Sequence, residues 1–413
     1  MSQVEPATSP AADPDSDPIR VMVVDDSVVV RGIITRLLEK EDEISVVASV
    51  GDGEMALRKL ENTDIDLVVL DIEMPVMDGM TALPKMIEMK PGLQVIISST
   101  LTLKNAEISL RAMELGATDY VTKPTSSGSL HAAQDYQREL AEKVRILGKA
   151  GRRRRRRLAA ADPVAKKERV TARQPAPKTL AKSSGRAAAP AAPVRVRRPK
   201  PAKQPDKAAP EFALRAPGKV KPSVIAIGSS TGGPQALFKL IAGLAPDVAL
   251  PIVITQHMPP TFTTILADHI TRLGGPPCTE AIDGEPLQPG RIFLAPGDHH
   301  LMVESEGGKP ILRVTQDPPE NFCRPAVDPM LRSLVEVYGA GVLVVMLTGM
   351  GHDGRDGSKV VVDAGGSVIA QDEEASVVWG MPGAVATEGL CCSVLPISEM
   401  ASQVNQLIDG ARP

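Results

Sequence analysis

The 413 residues suffice for two domains with separate cores, and aromatics at 2% beside 43% hydrophobic residues make the apolar content aliphatic, which suits parallel strands buried under helices and argues against a β-sandwich. The net charge of -3 is unevenly placed: residues 150–221 hold 22 Lys/Arg against 4 Asp/Glu, or +18, which leaves -3 - 18 = -21 on the remainder. Cys278, Cys323, Cys391 and Cys392 have neither metal-ligand nor disulfide-scaffold spacing and read as reduced thiols of a cytoplasmic protein, while the acidic, Pro-rich start and the lack of a long apolar run argue against a signal peptide or membrane span.

Residues 1–18 read as a disordered tail. From 19 to 148, apolar runs alternate with helical patterns, the signature of βαβ units and a parallel sheet. "IRVMVVDD" ends in Asp25 and Asp26, "DLVVLD" in Asp71, "VIISS" near Ser98 and "DYVTKP" in Lys123. The carboxyl ends of strands in an open α/β sheet line one crevice, so these groups can converge. Three carboxylates together demand a cation, and oxygen ligands point to Mg2+ rather than zinc. A lysine and a hydroxyl beside it would stabilise a phosphoryl group on one carboxylate. A single Asp at such a position would only cap a turn; the combination carries the chemistry.

Residues 149–221 open with "GRRRRRR" and continue in Ala, Pro, Lys and Ser without period, a composition expected to stay disordered as a tether. The rival reading is a basic contact with nucleic acid or an anionic membrane, for which six arginines supply charge. Only Phe212 is aromatic there, so base stacking has little support and nucleic acid is not the expected partner.

In residues 222–413, "VIAIGSSTGG" leads a strand into a turn. It is no Walker loop, because Pro234 stands where the lysine must be, and no dinucleotide fingerprint, because G-S-S-T-G-G breaks the glycine spacing. Gly228, Ser230 and Gly232 do fit G-x-S-x-G, the sharp turn that lifts a serine nucleophile before a helix starting near Pro234; Ser229 fails, since Ile227 precedes it at the glycine position. A serine needs a base, and the base a carboxylate. His257 follows "PIVITQ", His300 follows "RIFLAPGDH", and "GVLVVMLTG" leads to His352 and Asp353. His257 and Asp353 suit the two roles, although spacing does not choose among the three histidines. The order Ser, His, Asp differs from the Ser, Asp, His of α/β-hydrolases and disfavours that fold.

The first domain, with "DIEMPVMDG" after Asp71 and Tyr120 before Lys123, resembles response-regulator receivers. The resemblance implies a flavodoxin-like fold, Asp71 as phosphoacceptor, and Mg2+ on Asp25, Asp26, Asp71 and the backbone carbonyl of Glu73. It also implies Ser98 as switch hydroxyl, Tyr120 as switch aromatic, Lys123 as phosphate contact and a histidine kinase as phosphodonor. With "GSSTGG", "QHMP", "APGDHH", "RPAVD", "LTGMGHDG" and "VVWGMPGAV" following, the whole chain resembles the chemotaxis protein-glutamate methylesterases. This implies a doubly wound parallel sheet with Ser230 as nucleophile, His257 as base, Asp353 as its orienter and the Met350 amide at the oxyanion, joined there by the amide of Thr231, the residue after the nucleophile. The implied substrates are γ-glutamyl methyl esters, and specific glutamines, on chemoreceptors, with no cofactor for the hydrolysis. The implied control is a receiver that covers the cleft until phosphorylated. Arg324, Asp328 and Met381 either shape the cleft or pack. Two departures stand out: Ser229 where alanine is common, and a long linker. A phosphorylation-controlled binding protein without turnover is the reading from another class.

Overall fold

The computed structural model describes residues 17–100, 102–123, 130–161, 212–245 and 248–410. Among the described residues, contacts group 17–155 with 212–410 as one compact unit.

Five strands, β1 (Ile19–Val24), β2 (Ile44–Val50), β3 (Leu67–Asp71), β4 (Gln94–Thr100) and β5 (Asp119–Lys123), alternate with helices α1 (Val28–Leu38), α2 (Gly53–Asn62), α3 (Gly79–Met89) and α4 (Leu103–Glu114). The sheet runs β2-β1-β3-β4-β5, parallel throughout. It is the expected flavodoxin-like order, in which the chain reverses direction between β1 and β3, so Asp25 and Asp71 end beside each other at the switch point.

The next helix, α5 (Leu130–Ala161), passes the expected boundary at 148 and takes in the whole arginine run. Tyr136, Leu140, Val144 and Leu147 keep a helical period and are buried against the sheet. One turn further, Arg152 and Arg155 share a face and both pair with Asp66, which is 2% exposed; the Arg152 bond is 2.7 Å. Arg152 also donates to the carbonyls of Asp17 (2.6 Å) and Pro18. Charge composition alone suggested disorder from 149; a buried carboxylate under the helix overrides it. The far end of the expected linker is also built in, where Phe212 lies 6.0 Å from Trp379 and the Arg215 amide donates to Cys391 at 3.0 Å. The tail expected over 1–18 and the tether beyond 161 otherwise fall outside the described residues, apart from Asp17, Pro18 and the stretch from Phe212 on.

A second sheet begins with β6 (Val224–Ser229), followed by α6 (Gly233–Gly243), β7 (Ile252–Gln256), α7 (Phe262–Arg272), β8 (Cys278–Glu280) and β9 (Ile292–Leu294). The hairpin β10 (His300–Glu306) and β11 (Lys309–Thr315) then precedes α8 (Val327–Tyr338), β12 (Val342–Met346), α9 (Arg355–Asp363), β13 (Ser367–Gln371), α10 (Met381–Thr387), β14 (Ser393–Leu395) and α11 (Ile397–Asp409). The order β14-β13-β12-β6-β7-β9-β8 is parallel throughout, with helices on both faces, as expected of a doubly wound sheet. β6 starts in the middle and the chain later returns to its other side as β12. The reversal places the ends of β12, β6 and β7 side by side, and these three strands lead to Asp353, Ser230 and His257.

The two sheets' layers meet within the same compact unit. Tyr120 on β5 stacks on Phe262 at the start of α7, with ring centroids 4.4 Å and planes 8° apart. Gln235 Nε2 on α6 donates to the carbonyls of Met113 (2.8 Å) and Ala117, and His269 Nε2 lies 2.6 Å from Glu114. Met350, Val377 and Val378 join the apolar cluster that holds Tyr136, Leu140 and Val144.

Candidate active site

The turn after β6 is shaped by crowding. Gly232 has φ +73°, and a Cβ there would strike Val377; one on Gly233 would strike Gln256 Oε1. Ser230 emerges partly exposed, with its amide bonded to the Thr348 carbonyl at 3.1 Å. Ser229 is fully buried and its hydroxyl donates to Gln256 Oε1 at 2.6 Å, so the register read from G-x-S-x-G agrees with which serine is accessible. Gln256 also donates to the carbonyls of Ser230 (3.0 Å) and His257 (3.2 Å), tying the ends of β6 and β7 together.

Of the three candidate histidines, His257 alone meets Asp353, with Nε2 to Oδ2 at 2.7 Å. His300 is 2% exposed and spends both ring nitrogens on backbone, Nε2 at Pro318 O (3.1 Å) and Nδ1 at the Ala326 amide (3.2 Å), while His352 is exposed. Because Asp353 takes Nε2, the nitrogen left for a serine proton is Nδ1; Cys323 Sγ lies 3.4 Å from it. Burial disfavours the imidazolium, yet the hydrogen bonds to Asp353 and Cys323 and the nearby charge outweigh it and raise His257 above the ordinary histidine range. Burial also works against the Asp353 carboxylate, but His257 and the Val327 amide hold its pKa below the usual carboxylate range.

Asp353 is itself gripped. Its Oδ2 accepts from the Val327 amide (2.6 Å) and its Oδ1 from Asn321 Nδ2 (2.9 Å) and the Asp328 amide (3.2 Å). Asn321 Nδ2 bridges onward to Asp328 Oδ2 at 2.8 Å, and Asp328 Oδ1 caps the Gly357 amide at 2.6 Å. Burial and the charge of Asp353 push Asp328 upward. Arg324 is engaged by Asp298 (2.6 Å) and the carbonyls of Gln316 and Asp317, and Met381 is fully buried against the Gly349 turn. Among the described residues, neither the Thr231 nor the Met350 amide donates a hydrogen bond to a backbone carbonyl. Gln256 and Asn321 were not singled out from the sequence, and Cys323 only as a reduced thiol; the polar residue closing the strand "PIVITQ" was the one available signal.

In the first domain Asp25, Asp26 and Asp71 offer carboxylate oxygens all within 4.8 Å of one another. Lys123 Nζ lies 2.7 Å from Asp25 and 2.9 Å from Asp71. Burial raises the Asp71 pKa and the charge of Asp25 adds to it, against the pull of Lys123. Ser98 is 1% exposed, and its hydroxyl has no partner among the described residues. An oxygen-only acidic cluster beside a lysine and an orphaned hydroxyl fits Mg2+ and a phosphoryl group. The Glu73 side chain turns outward to Lys104 at 2.9 Å, and Tyr120 is buried in the stack on Phe262. No helix among the described residues is long and apolar enough to cross a membrane.

A receiver-like sheet with an acidic cluster, in one unit with a doubly wound sheet that carries a histidine–carboxylate pair and an exposed serine, defines a response regulator with a hydrolytic output domain. Comparison with known proteins agrees: residues 21–135 match the response regulator receiver domain and residues 225–404 the CheB methylesterase. Protein-glutamate methylesterase/protein-glutamine glutaminase 1 of Paramagnetospirillum magneticum is 53% identical over 95% of this chain and 97% of its own. Protein-glutamate methylesterase/protein-glutamine glutaminase of Azospirillum brasilense is 50% identical over 98% and 97%. The crystal structure of the Thermotoga maritima CheB methylesterase catalytic domain is 41% identical, covering 46% of this chain and 100% of that one with a TM-score of 0.44. The chain belongs to the CheB family of receiver-linked protein-glutamate methylesterases.

Proposed function

We propose that the protein hydrolyses γ-glutamyl methyl esters, and deamidates specific glutamines, on chemoreceptors when its receiver is phosphorylated by a histidine kinase. The 2.7 Å bond between His257 and Asp353, at strand ends adjacent to the one carrying Ser230, is the observation that carries this reading. Ser230 Oγ attacks the ester carbonyl as its proton passes to His257 Nδ1. The oxyanion sits against the amides of Thr231 and Met350. His257 returns the proton to departing methanol, then takes one from the water that cleaves the glutamyl–Ser230 ester. Asp353 fixes the ring and stabilises its cation throughout. With a glutamine substrate the leaving group is ammonia. Arg324, Asp328 and Met381 act by holding the cleft walls, since each is committed to intramolecular contacts.

In the receiver, Asp71 is the phosphoacceptor, and Asp25, Asp26, Asp71 and the Glu73 carbonyl would hold Mg2+, which neutralises charge between carboxylate and phosphoryl oxygens when bound. Lys123 and Ser98 meet the phosphoryl oxygens. The rearrangement at the ends of β4 and β5 is passed on through Tyr120, whose ring supports Phe262 and hence the segment between His257 and α7. Disturbing that stack loosens the receiver from the Met350 and Val377 region and opens the cleft. The Arg152 and Arg155 pairs with Asp66 favour a structural use of the arginine run over a nucleic-acid contact. Methanol release from methylated receptor, with and without a phosphodonor, tests the proposal; release by Ser230→Ala at the wild-type rate would refute it.

A further inference from the structure

We infer that Phe322 is a specificity residue of this esterase, an aromatic side chain held beside the catalytic histidine to pack on an apolar strip of the polypeptide that presents the ester. The inference rests on the esterase reading above. The chain has 5 phenylalanines. Phe262 and Phe293 are fully buried, Phe238 is 9% exposed and Phe212 leans on Trp379, but Phe322 is 97% exposed.

Its backbone makes that exposure costly. Glu320 and Cys323 exchange both amide–carbonyl bonds, at 3.1 and 2.9 Å, closing a two-residue turn in which Asn321 has φ +52° and Phe322 φ +63°. Two consecutive left-handed residues are the type I′ pattern, which suits Asn first and Gly second. The chain uses Gly307 and Gly308 in its β10–β11 hairpin, at φ +59° and +78°. A phenylalanine in the second place is strained, and with 97% of its surface in water no packing within the protein compensates.

The rest of the turn is staked down. Glu320 holds Arg332 through two bonds of 2.7 and 2.6 Å, Asn321 holds Asp353 and Asp328, Cys323 touches His257 Nδ1, and Arg324 holds Asp298. Phe322 is thus the free tip of a turn whose neighbours on both sides bond the catalytic pair. Its ring lies in solvent while its neighbours in the turn bond the catalytic pair, so what it would touch on the substrate lies beyond the ester group itself. It stays exposed in the same compact unit that contains the receiver, so the receiver leaves it uncovered. The ester is neutral where the product glutamate is charged, and an apolar neighbour on the substrate suits an aromatic contact.

The test compares methylated receptor with p-nitrophenyl acetate, using the full-length phosphorylated protein. Phe322→Ala is expected to raise KM for receptor about tenfold, with kcat within about twofold and small-ester turnover unchanged. Phe322→Trp should keep KM near wild type. Phe322→Gly should raise KM like alanine yet increase Tm, because glycine takes the left-handed turn freely. An unchanged receptor KM in Phe322→Ala, or equal losses on both substrates, would overturn the inference. If wild type releases no methanol, the esterase reading falls first and this inference with it.

Discussion

Replacing Gln235 by alanine should activate the unphosphorylated protein. Gln235 is half-buried on α6, and its side chain works across the receiver contact, where Nε2 donates to the carbonyls of Met113 and Ala117. The Met113 carbonyl also accepts from the Gly116 amide, so the loss falls mainly on Ala117 O, left in the closed form without that donor. Losing one ordinary hydrogen bond and leaving a shielded carbonyl unpaired costs about 1–3 kcal/mol. When the receiver is released, water satisfies both carbonyls, so the open form loses nothing. At 1.4 kcal/mol per factor of ten, the ratio of open to closed shifts about 5- to 150-fold, and basal activity rises by that factor until it meets the phosphorylated rate. The assay is methanol release from methylated receptor without phosphodonor, beside the maximal rate with it and a thermal melt to confirm folding. A basal rate within about twofold of wild type, with the maximal rate intact, would refute the idea that these bonds hold the receiver over the site.

Ser230→Ala should lower ester hydrolysis by several powers of ten, whereas Ser229→Ala loses the buried bond to Gln256 and leaves its Oε1 unpaired, costs about 1–3 kcal/mol of stability and keeps activity within a few-fold; steady-state kinetics with melts on both variants check this. For pH, His257 holds its proton above the ordinary value of about 6.5, so the basic form that can accept the Ser230 proton accumulates only as pH rises beyond it. The acid limb of kcat/KM should therefore lie above 6.5. Asp353→Asn removes a partner that raises His257, so it should move the limb down while lowering the maximal rate; a limb that stays put would contradict the pairing.

Much of this was legible because buried parallel strands read as apolar runs, and their last residues carry the chemistry: Asp25, Asp71, Ser230 and His257 were all found at strand ends. The choice of Ser230 over Ser229 followed from glycine spacing. The choice among His257, His300 and His352 did not, because it depends on the chain returning to place β12 beside β6, a pairing of residues more than 100 apart in sequence. Asn321 was invisible for the same reason, and Cys323 was legible only as a reduced thiol, since their partners lie across the fold. Composition assigned the arginine run to the linker because it reports what a segment does alone, whereas α5 continues through the run and is held by Asp66, a carboxylate just before β3. The signal was there in part: Tyr136, Leu140, Val144 and Leu147 set a face that Arg152 and Arg155 continue.

The most direct test of the whole account is methanol release from methylated receptor on addition of a small-molecule phosphodonor, compared between wild type and Asp71→Asn. The account predicts a stimulated rate in wild type and, in Asp71→Asn, the wild-type basal rate with no stimulation, because the amide cannot accept the phosphoryl group. Full stimulation of Asp71→Asn, or a wild type that releases methanol at one rate with and without the donor, would contradict the claim that Asp71 controls the Ser230 site.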